Sequence, residues 1–274
     1  MPALYVVATP IGNLEDISLR ALRVLREVGL IAAEDTRRTK QLLATYDIKT
    51  PMTSYHERNK LTKLDYILEC LENGDVALVA DAGMPVVSDP GYELVVAANA
   101  RGIPVVPIPG ASAITAALVV SGLAAERFTY LGFLPHKSSQ RRRVLDSVAG
   151  EPGAIIVLES PHRLLAALGD MLAALGDRKL AVCRELTKMH EEVFRGTISQ
   201  AIEHFAEPRG EFTLVIEGRR GKDEPQLSEV IESQLKGMRQ AGMTARETVA
   251  RVAGETGLSK RELYRAWLRV RSQK

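Results

Sequence analysis

Cysteine is nearly missing from this chain: Cys70 and Cys183 are the only two in 274 residues. Neither lies in a CxxC pair or at a Cys/His ligand spacing, so a disulfide framework is excluded and no metal centre is expected. Aromatic residues make up 5%, with a single Trp, too few for an extended base-stacking platform. No uninterrupted apolar run approaches the roughly 20 residues that span a bilayer. The start, "MPALYVVATPIGN", has neither the charged head nor the long apolar stretch of a secretion signal. These absences lead us to expect a soluble, cytoplasmic protein with no membrane association. Two nucleotide motifs are missing as well. There is no GxxxxGK[ST], and no GxGxxG follows a strand, which removes most of the support for nucleoside triphosphate or dinucleotide binding.

What is present describes a globular chain: 46% hydrophobic and 26% charged residues, over a length sufficient for two domains. The net charge of +2 hides an asymmetry. Arg219 to Lys274 carries 13 Lys and Arg against 7 Asp and Glu, while the preceding 218 residues carry 23 against 27. A basic tail on a mildly acidic body points to a polyanionic partner for the tail, although a solvated helix surface has the same composition.

Short β-like runs alternate with amphipathic helical stretches. Strands are predicted at 3–9, 30–35, 76–80 and 103–108, with helices at 18–28, 59–72 and 91–101 between them. Ser18 is the candidate cap of the first helix, and Leu19, Leu22 and Leu25 its apolar side. Alternation of this kind predicts a largely parallel α/β sheet. The pattern resets after a buried helix that begins near Ser112. Further strands are predicted at 127–134, 154–158, 180–184 and 212–217, with helices at 162–175 and 197–205. The expected domains are therefore 1–123 and 124–220, both α/β, and a basic helical segment at 226–274 beyond a linker, "EGRRGKDEPQ". In that segment Ala245, Val249, Val252 and Ala253 form one helical face, Gly257 and Ser259 a turn, and Leu263, Trp267 and Val270 a second face. Any αα-hairpin gives such a pattern, and so does a helix-turn-helix.

Three stretches concentrate turn chemistry where a strand ends: "TPIGNL" (9–14), "DAGMPVVSDPG" (81–91) and "PIPGASA" (107–113). In open α/β sheets that edge is where ligands bind. Gly12, Gly83 and Gly91 let a ligand approach the backbone, while Pro10, Pro85 and Pro90 stiffen the loops. Asp81 directly follows a buried strand, placed to accept hydrogen bonds from a ligand hydroxyl or amine. Three such loops at one edge predict a small-molecule pocket.

The ordered set "TPIGNL", "AEDTRRT", "SYHERN", "DAGMPVVSDPG", "PGASA", "LGFLP", "ESPHR" and "RELTKMHEE" runs from residue 9 to residue 192. Together these motifs closely resemble the tetrapyrrole methylase superfamily, and within it the bacterial family of small-subunit ribosomal RNA ribose 2′-O-methyltransferases I. The resemblance implies two α/β domains with S-adenosylmethionine in the cleft between them, and a homodimer. It implies methylation of a cytidine ribose in the decoding region of 16S RNA, with the RNA or the assembled small subunit as partner. Carried over by position, the cofactor loops are Pro10 and Gly12, then Asp81, Gly83, Pro85, Val86, Val87 and Ser88, then Ser112 and Ala113. One departure stands out. Met84 occupies the place of Thr in the family's "DAGTP" pattern, which puts a hydroxyl contact there in doubt.

Methyl transfer from a sulfonium needs chiefly alignment and exclusion of water, with a base or cation to help a weakly acidic hydroxyl. The candidates cluster in "ESPHR" and "RELTKMHEE": Glu159, Arg163 and Lys188 as catalytic residues, with a lysine of lowered pKa or a carboxylate taking the proton. Lys137, Arg141, Arg142 and Arg143 are expected to meet RNA phosphates, as are Arg163, Arg184, Lys260, Arg261 and Arg265. Two other readings stay open. One is a methyltransferase acting on a tetrapyrrole-like small molecule. The other is a ligand-sensing regulator that binds DNA through its C-terminal helices.

Overall fold

The computed structural model describes residues 2–219 and 229–271, without the side chains of 229, 270 and 271. The chain forms two compact units, Met1–Gly218 and Arg219–Lys274. Most of the expected linker and the side chain of Val270 lie outside the described residues.

The first unit holds two sheets. Strands β1 (Leu4–Val7), β2 (Leu30–Ala33), β3 (Met52–Ser54), β4 (Val76–Val79) and β5 (Val105–Ile108) make the first, in the order β3-β2-β4-β1-β5. Every pairing in it is parallel. Both β2 and β4 are buried along their whole length, because helices cover both faces of the sheet. One face packs on Leu22, Val24 and Leu25 of α1 (Leu19–Glu27) and on α2 (Thr36–Thr45). The other packs on Ile67 and Leu71 of α3 (Lys60–Asn73) and Leu94 of α4 (Tyr92–Ala100). Ser18 caps α1, its hydroxyl accepting from the Ala21 N–H at 3.1 Å. Leu19, however, is exposed. The buried side of α1 centres on Ala21, Leu22, Val24 and Leu25, and at 100° per residue Leu19 points the opposite way. Helix α5 (Ala113–Ser121) leads out of this sheet.

The second sheet comprises β6 (Phe128–Phe133), β7 (Ala154–Glu159), β8 (Lys179–Arg184), β9 (Glu192–Thr197) and β10 (Phe212–Ile216), ordered β6-β7-β10-β8-β9. Only β6 and β7 are parallel; the other pairings are antiparallel. A largely parallel reading therefore holds for the first sheet alone. A short turn at 185–191 joins β8 to β9, too short for a crossover helix. Because β10 runs against both β7 and β8, its start meets their ends: Phe212 pairs with Glu159 on one side and Arg184 on the other. Among the elements without a counterpart in the sequence reading are α2, β3 and β9. Strand β3 has three residues and β9, "EVFRGT", has no apolar run.

Helices α6 (Ser138–Ser147), α7 (Leu164–Leu175) and α8 (Ile198–His204) belong to this second half. Asp170 of α7 is buried and accepts from Ser138 Oγ at 3.0 Å and from Nε of Arg141 and Arg142 at 2.7 Å each. This corrects one expected RNA contact. Arg141 is 5% exposed, and its guanidinium also donates to the Pro135 and His136 carbonyls, so it ties α6 to α7 and does not reach an outside phosphate. Lys137, Arg142 and Arg143 are exposed.

The second unit is a three-helix cluster of α9 (Glu229–Gln240), α10 (Ala245–Thr256) and α11 (Lys260–Arg271) around Leu235, Val252, Leu263 and Trp267. Thr244 and Glu247 form a reciprocal cap at the start of α10, and Gly257 closes it in a left-handed conformation. Lys260, Arg261 and Arg265 are exposed.

Burial raises the Asp170 carboxyl, but the bonds from Arg142, Ser138 and Arg141 overcome this and leave it below its ordinary value. A lowered carboxyl contributes stability above its unfolded pKa of about 4 and loses it as pH falls through the folded value. Asp170→Asn leaves Arg141 buried without a counter-charge, so the unfolding free energy at pH 7 falls by about 3 kcal/mol. Urea unfolding measures this, and an unchanged midpoint would assign Arg141 no such dependence.

Candidate functional site

Parallel strands bring their ends, and hence their loops, to one edge. There the residue after β1 and the segment after β4 hold each other. Thr9 N–H donates to Gly83 C=O at 2.9 Å, and Gly83 N–H returns to Thr9 C=O at 3.0 Å. Gly83 sits at φ +75°, where a side chain is disfavoured. The ends of β2 and β4 are joined in the same reciprocal manner. Asp81 Oδ1 accepts from Asp35 N–H at 3.0 Å, and Asp81 N–H donates to Glu34 Oε2 at 3.2 Å. Asp35 then caps α2 by accepting from Arg37 N–H at 2.8 Å, and Arg38 on that helix reaches Asp81 at 3.4 Å.

The loop itself is strained. Val86 and Ser88 have φ of +76° and +67°, a region that non-glycine residues, and β-branched ones above all, seldom occupy. Two contacts hold it there. Val86 packs with Leu78 and Leu94 in the core, and the Ser88 hydroxyl shares a 2.7 Å hydrogen bond with Tyr130 of β6. The second contact joins the first sheet's loop to the second sheet. Gly12 makes another such join: a Cβ there would lie 2.8 Å from the Leu186 carbonyl, and Asn13 N–H donates to Thr187 Oγ1 at 3.0 Å.

Between the two sheets lies a cavity of about 500 Å³, of the size that takes a nucleoside-like ligand. The first sheet contributes Asp81, Gly83, Met84, Val87, Ser88, Ser112 and Ala113, together with Glu34 and Asp89. The second contributes Tyr130, Phe133, Glu159, Lys188 and Phe212. A smaller adjoining space of about 290 Å³ is lined by Pro10 and Gly12 and shares Arg38, Asp81 and Lys188 with it. Thus the structure brings eight of the ten expected cofactor residues to these two spaces. Pro85 and Val86 are not on the wall: Pro85 is buried and Val86 turns into the core, which fixes the loop from beneath.

The candidate catalytic residues are placed as follows. Glu159 is fully buried; its Oε1 accepts from Ser160 N–H at 2.9 Å and lies 3.3 Å from Arg163 Nε, while its Oε2 has no partner among the described residues. Arg163 is committed elsewhere, donating to the backbone carbonyls of Leu134 and Pro135. Arg184 likewise donates to the Arg209 carbonyl at 2.7 Å and to Glu192 at 3.2 Å. Lys188 Nζ lies 2.7 Å from Glu211 and 3.0 Å from Glu185. Burial lowers the Lys188 ammonium, but those two carboxylates overcome it and hold it above its ordinary value. This corrects the expectation of a lysine of lowered pKa: Lys188 is a matched cation and not a free base.

Sequence reasoning passed over Asp89, Tyr130 and Glu211. Asp89 stands within the quoted "SDPG", where Asp beside Pro and Gly reads as turn chemistry. Tyr130 reads as one more strand aromatic, and no motif marks Glu211. Asp89 is the most perturbed acid of the wall. Burial, then the charges of Glu34 and Asp81, push it up to about 7. Burial also raises Glu34, with Asp81's charge adding to it against the hydrogen bond from Asp81 N–H. Among the described residues no group of three or more His, Cys, Asp or Glu is arranged to hold a metal ion. No helix among them is long and apolar enough to cross a membrane.

The wall fits S-adenosylmethionine in its chemistry. Glycine-lined loops leave the backbone open to a ligand, apolar and aromatic side chains line the space a nucleoside would fill, and one buried Glu159 oxygen lacks a donor among the described residues. A raised carboxyl keeps its proton in the folded state where the unfolded chain has released it. Stability therefore falls as pH rises from about 4 to about 7 through Asp89. Asp89→Asn removes this dependence. Its melting temperature should exceed the wild type's by a wider margin at pH 8 than at pH 5, and equal margins would show that Asp89 titrates normally.

Comparison with known proteins agrees with this architecture. The tetrapyrrole (corrin/porphyrin) methylases match residues 3–202. A Halalkalibacterium halodurans protein described as "Ribosomal RNA small subunit methyltransferase I" is 48% identical over 271 residues, 95% of this chain and 93% of its own length. A Thermotoga maritima protein of the same description is 51% identical over 222 residues, 80% of this chain and all of the relative. Among solved structures, uroporphyrin-III-C-methyltransferase from Thermus thermophilus has a TM-score of 0.58 over 79% of this chain and 94% of its own, at 21% identity. That last likeness is one of fold. The chain belongs to the tetrapyrrole (corrin/porphyrin) methylases.

Proposed function

We propose that this protein transfers a methyl group from S-adenosylmethionine to the ribose 2′-hydroxyl of a cytidine in the decoding region of small-subunit ribosomal RNA. The observation that carries the reading is the cavity between the two sheets, in a chain that matches relatives named for small-subunit ribosomal RNA over nearly its whole length. The methyl donor, when bound, supplies a methyl group on a sulfonium centre already activated for displacement. The protein's own part is to hold, align and keep water out. Pro10, Gly12, Asp81, Gly83, Val87, Ser88, Ser112 and Ala113 line the spaces that would hold it; Pro85 and Val86 set the loop's shape. The Ser88–Tyr130 bond ties the first sheet's loop to the second sheet across the cavity wall. Lys188 keeps its proton, so the cavity's carboxylates are the groups able to accept the hydroxyl's proton. Arg163 and Glu159 act by position, bracing the end of β7 against the 134–135 segment.

RNA phosphates would meet the exposed cations Lys137, Arg142 and Arg143 at the start of α6, and Lys260, Arg261 and Arg265 on α11. The Thermotoga relative is matched in full by 222 residues, close to the length of the first unit. On this reading the helical unit aids RNA affinity and takes no part in the chemistry. The same reading includes a homodimer acting in the cytoplasm.

The test is to incubate the protein with methyl-labelled S-adenosylmethionine and small ribosomal subunits from cells that lack it, then analyse nucleosides. Label on one cytidine 2′-O is the expected result. Donor binding without transfer to RNA would overturn the acceptor and turn attention to small molecules. Failure to bind the donor would overturn the cofactor assignment and leave the regulator reading. Asp81→Ala should weaken donor binding by more than about tenfold in calorimetry, and unchanged affinity would remove Asp81 from the site.

A further inference from the structure

The cavity wall carries more acids than cations. Of its described lining residues five are carboxylic acids and two are cations. Three acids come from loops of the first sheet: Glu34 after β2, then Asp81 and Asp89 in the segment after β4. Asp81 has both oxygens engaged, by Asp35 N–H and by Arg38. Asp89 has no hydrogen bond or ion pair among the described residues. From the second sheet, Tyr130 on β6, Glu159 on β7, Cys183 near the end of β8, Lys188 in the turn after it, and Glu211 before β10 line the same space. Lys188 is already matched by Glu185 and Glu211. Arg38 is largely exposed and serves Asp81. A second observation comes from the other sheet independently. Glu159, which also lines the space, is fully buried, yet its Oε2 is an acceptor without a partner among the described residues. The site as it stands is short of positive charge.

Resting on the reading above, we propose that this acidic wall selects the charge state of the methyl carrier: it favours the cationic sulfonium donor over the neutral thioether product, with Asp89 as the specificity-determining residue. Methyl transfer breaks the S–CH3 bond, leaves its electron pair on sulfur and forms the O–CH3 bond. The hydroxyl's proton passes to a wall carboxylate and on to solvent. Sulfur thereby loses its positive charge, and the wall loses its reason to hold the carrier. Mutual repulsion among Glu34, Asp81 and Asp89 is relieved by a cation in the cavity and not by a thioether. That Asp89 is pushed up to about 7 agrees with the geometry and gives the preference a pH dependence. A bound cation favours the ionised carboxylate, so donor affinity rises as pH rises through that value. The α-amino and α-carboxyl groups are common to donor and product, so comparing the two isolates the sulfonium.

Calorimetry on the full chain with S-adenosylmethionine and S-adenosylhomocysteine, at pH 6 and pH 8, tests this. Unit charges a few ångströms apart at a protein's effective dielectric are worth more than tenfold in affinity. With one side of the cavity open to solvent, the product-to-donor Kd ratio should rise at least about threefold between the two pH values. Asp89→Asn should abolish that rise, weakening the donor while leaving the product within about twofold. Glu34→Gln, which keeps an oxygen for Asp81 N–H, should act in the same direction and serves if the first variant does not fold. A ratio that ignores pH, or variants that weaken both ligands equally, would overturn the inference while keeping the cavity as the cofactor site. If neither ligand binds the wild type, the proposed function itself fails.

Discussion

Everything at the site depends on two backbone hydrogen bonds between Thr9 and Gly83. They tie the exit of β1 to the exit of β4, the two neighbouring strands whose loops diverge above the sheet. A loop so anchored can carry a side chain where a free connection would let it swing. Asp81 and Glu34 use the same device one strand over, each serving a backbone N–H of the other's segment. These acids are therefore structural ties first, and their remaining faces line a cavity only because the ties hold them there. The physical requirement is that buried backbone donors find acceptors; here the acceptors are carboxylates that also give the cavity its charge.

The second sheet completes the site through strand direction. Placing β10 antiparallel between β7 and β8 sets Phe212 beside both Glu159 and Arg184. A strand's beginning thus shares an edge with its neighbours' ends, and Glu211 enters the same region as Lys188. Residues far apart in the chain meet without a long loop. The cost of this convergence is visible in local strain. Val86 and Ser88 keep left-handed conformations, and Glu185 and Thr187 do so in the turn opposite. Such conformations persist only where surrounding contacts over-determine them, and core packing of Val86, the Ser88–Tyr130 bond and the Asn13–Thr187 bond are those contacts.

Charge is divided across the chain in a manner that suits a polyanionic substrate and a cationic cofactor. The cavity is acidic, while exposed cations lie at the start of α6 and along α11. Arg141 shows why composition alone overstates the second of these. Within "RRR" it is indistinguishable from its neighbours, yet it is buried against Asp170. Only the turn of a helix against its partner separates an interior ion pair from a surface cation.

How much of this was legible depended on the range of the physics involved. Local signals sufficed for the strand-helix alternation, for Ser18 as a cap, for the three turn-rich loops at one sheet edge, and, through the ordered motifs, for the family and its fold. These depend on neighbours within a few residues, or on a pattern preserved along the chain. The sequence did not disclose β3 and β9, which carry no apolar run, nor the mixed pairing of the second sheet, since strand direction follows from connections through space. It did not reveal that Leu19 faces solvent, that Arg163 and Arg184 are spent on carbonyls, or that Lys188 holds its proton. Nor did it mark Asp89, which in "SDPG" is only a turn residue. Its raised carboxyl arises from burial and from the charges of Glu34, brought to the same wall from another loop, and of Asp81 in its own loop, and repulsion between charges depends on distance in space and not on separation along the chain.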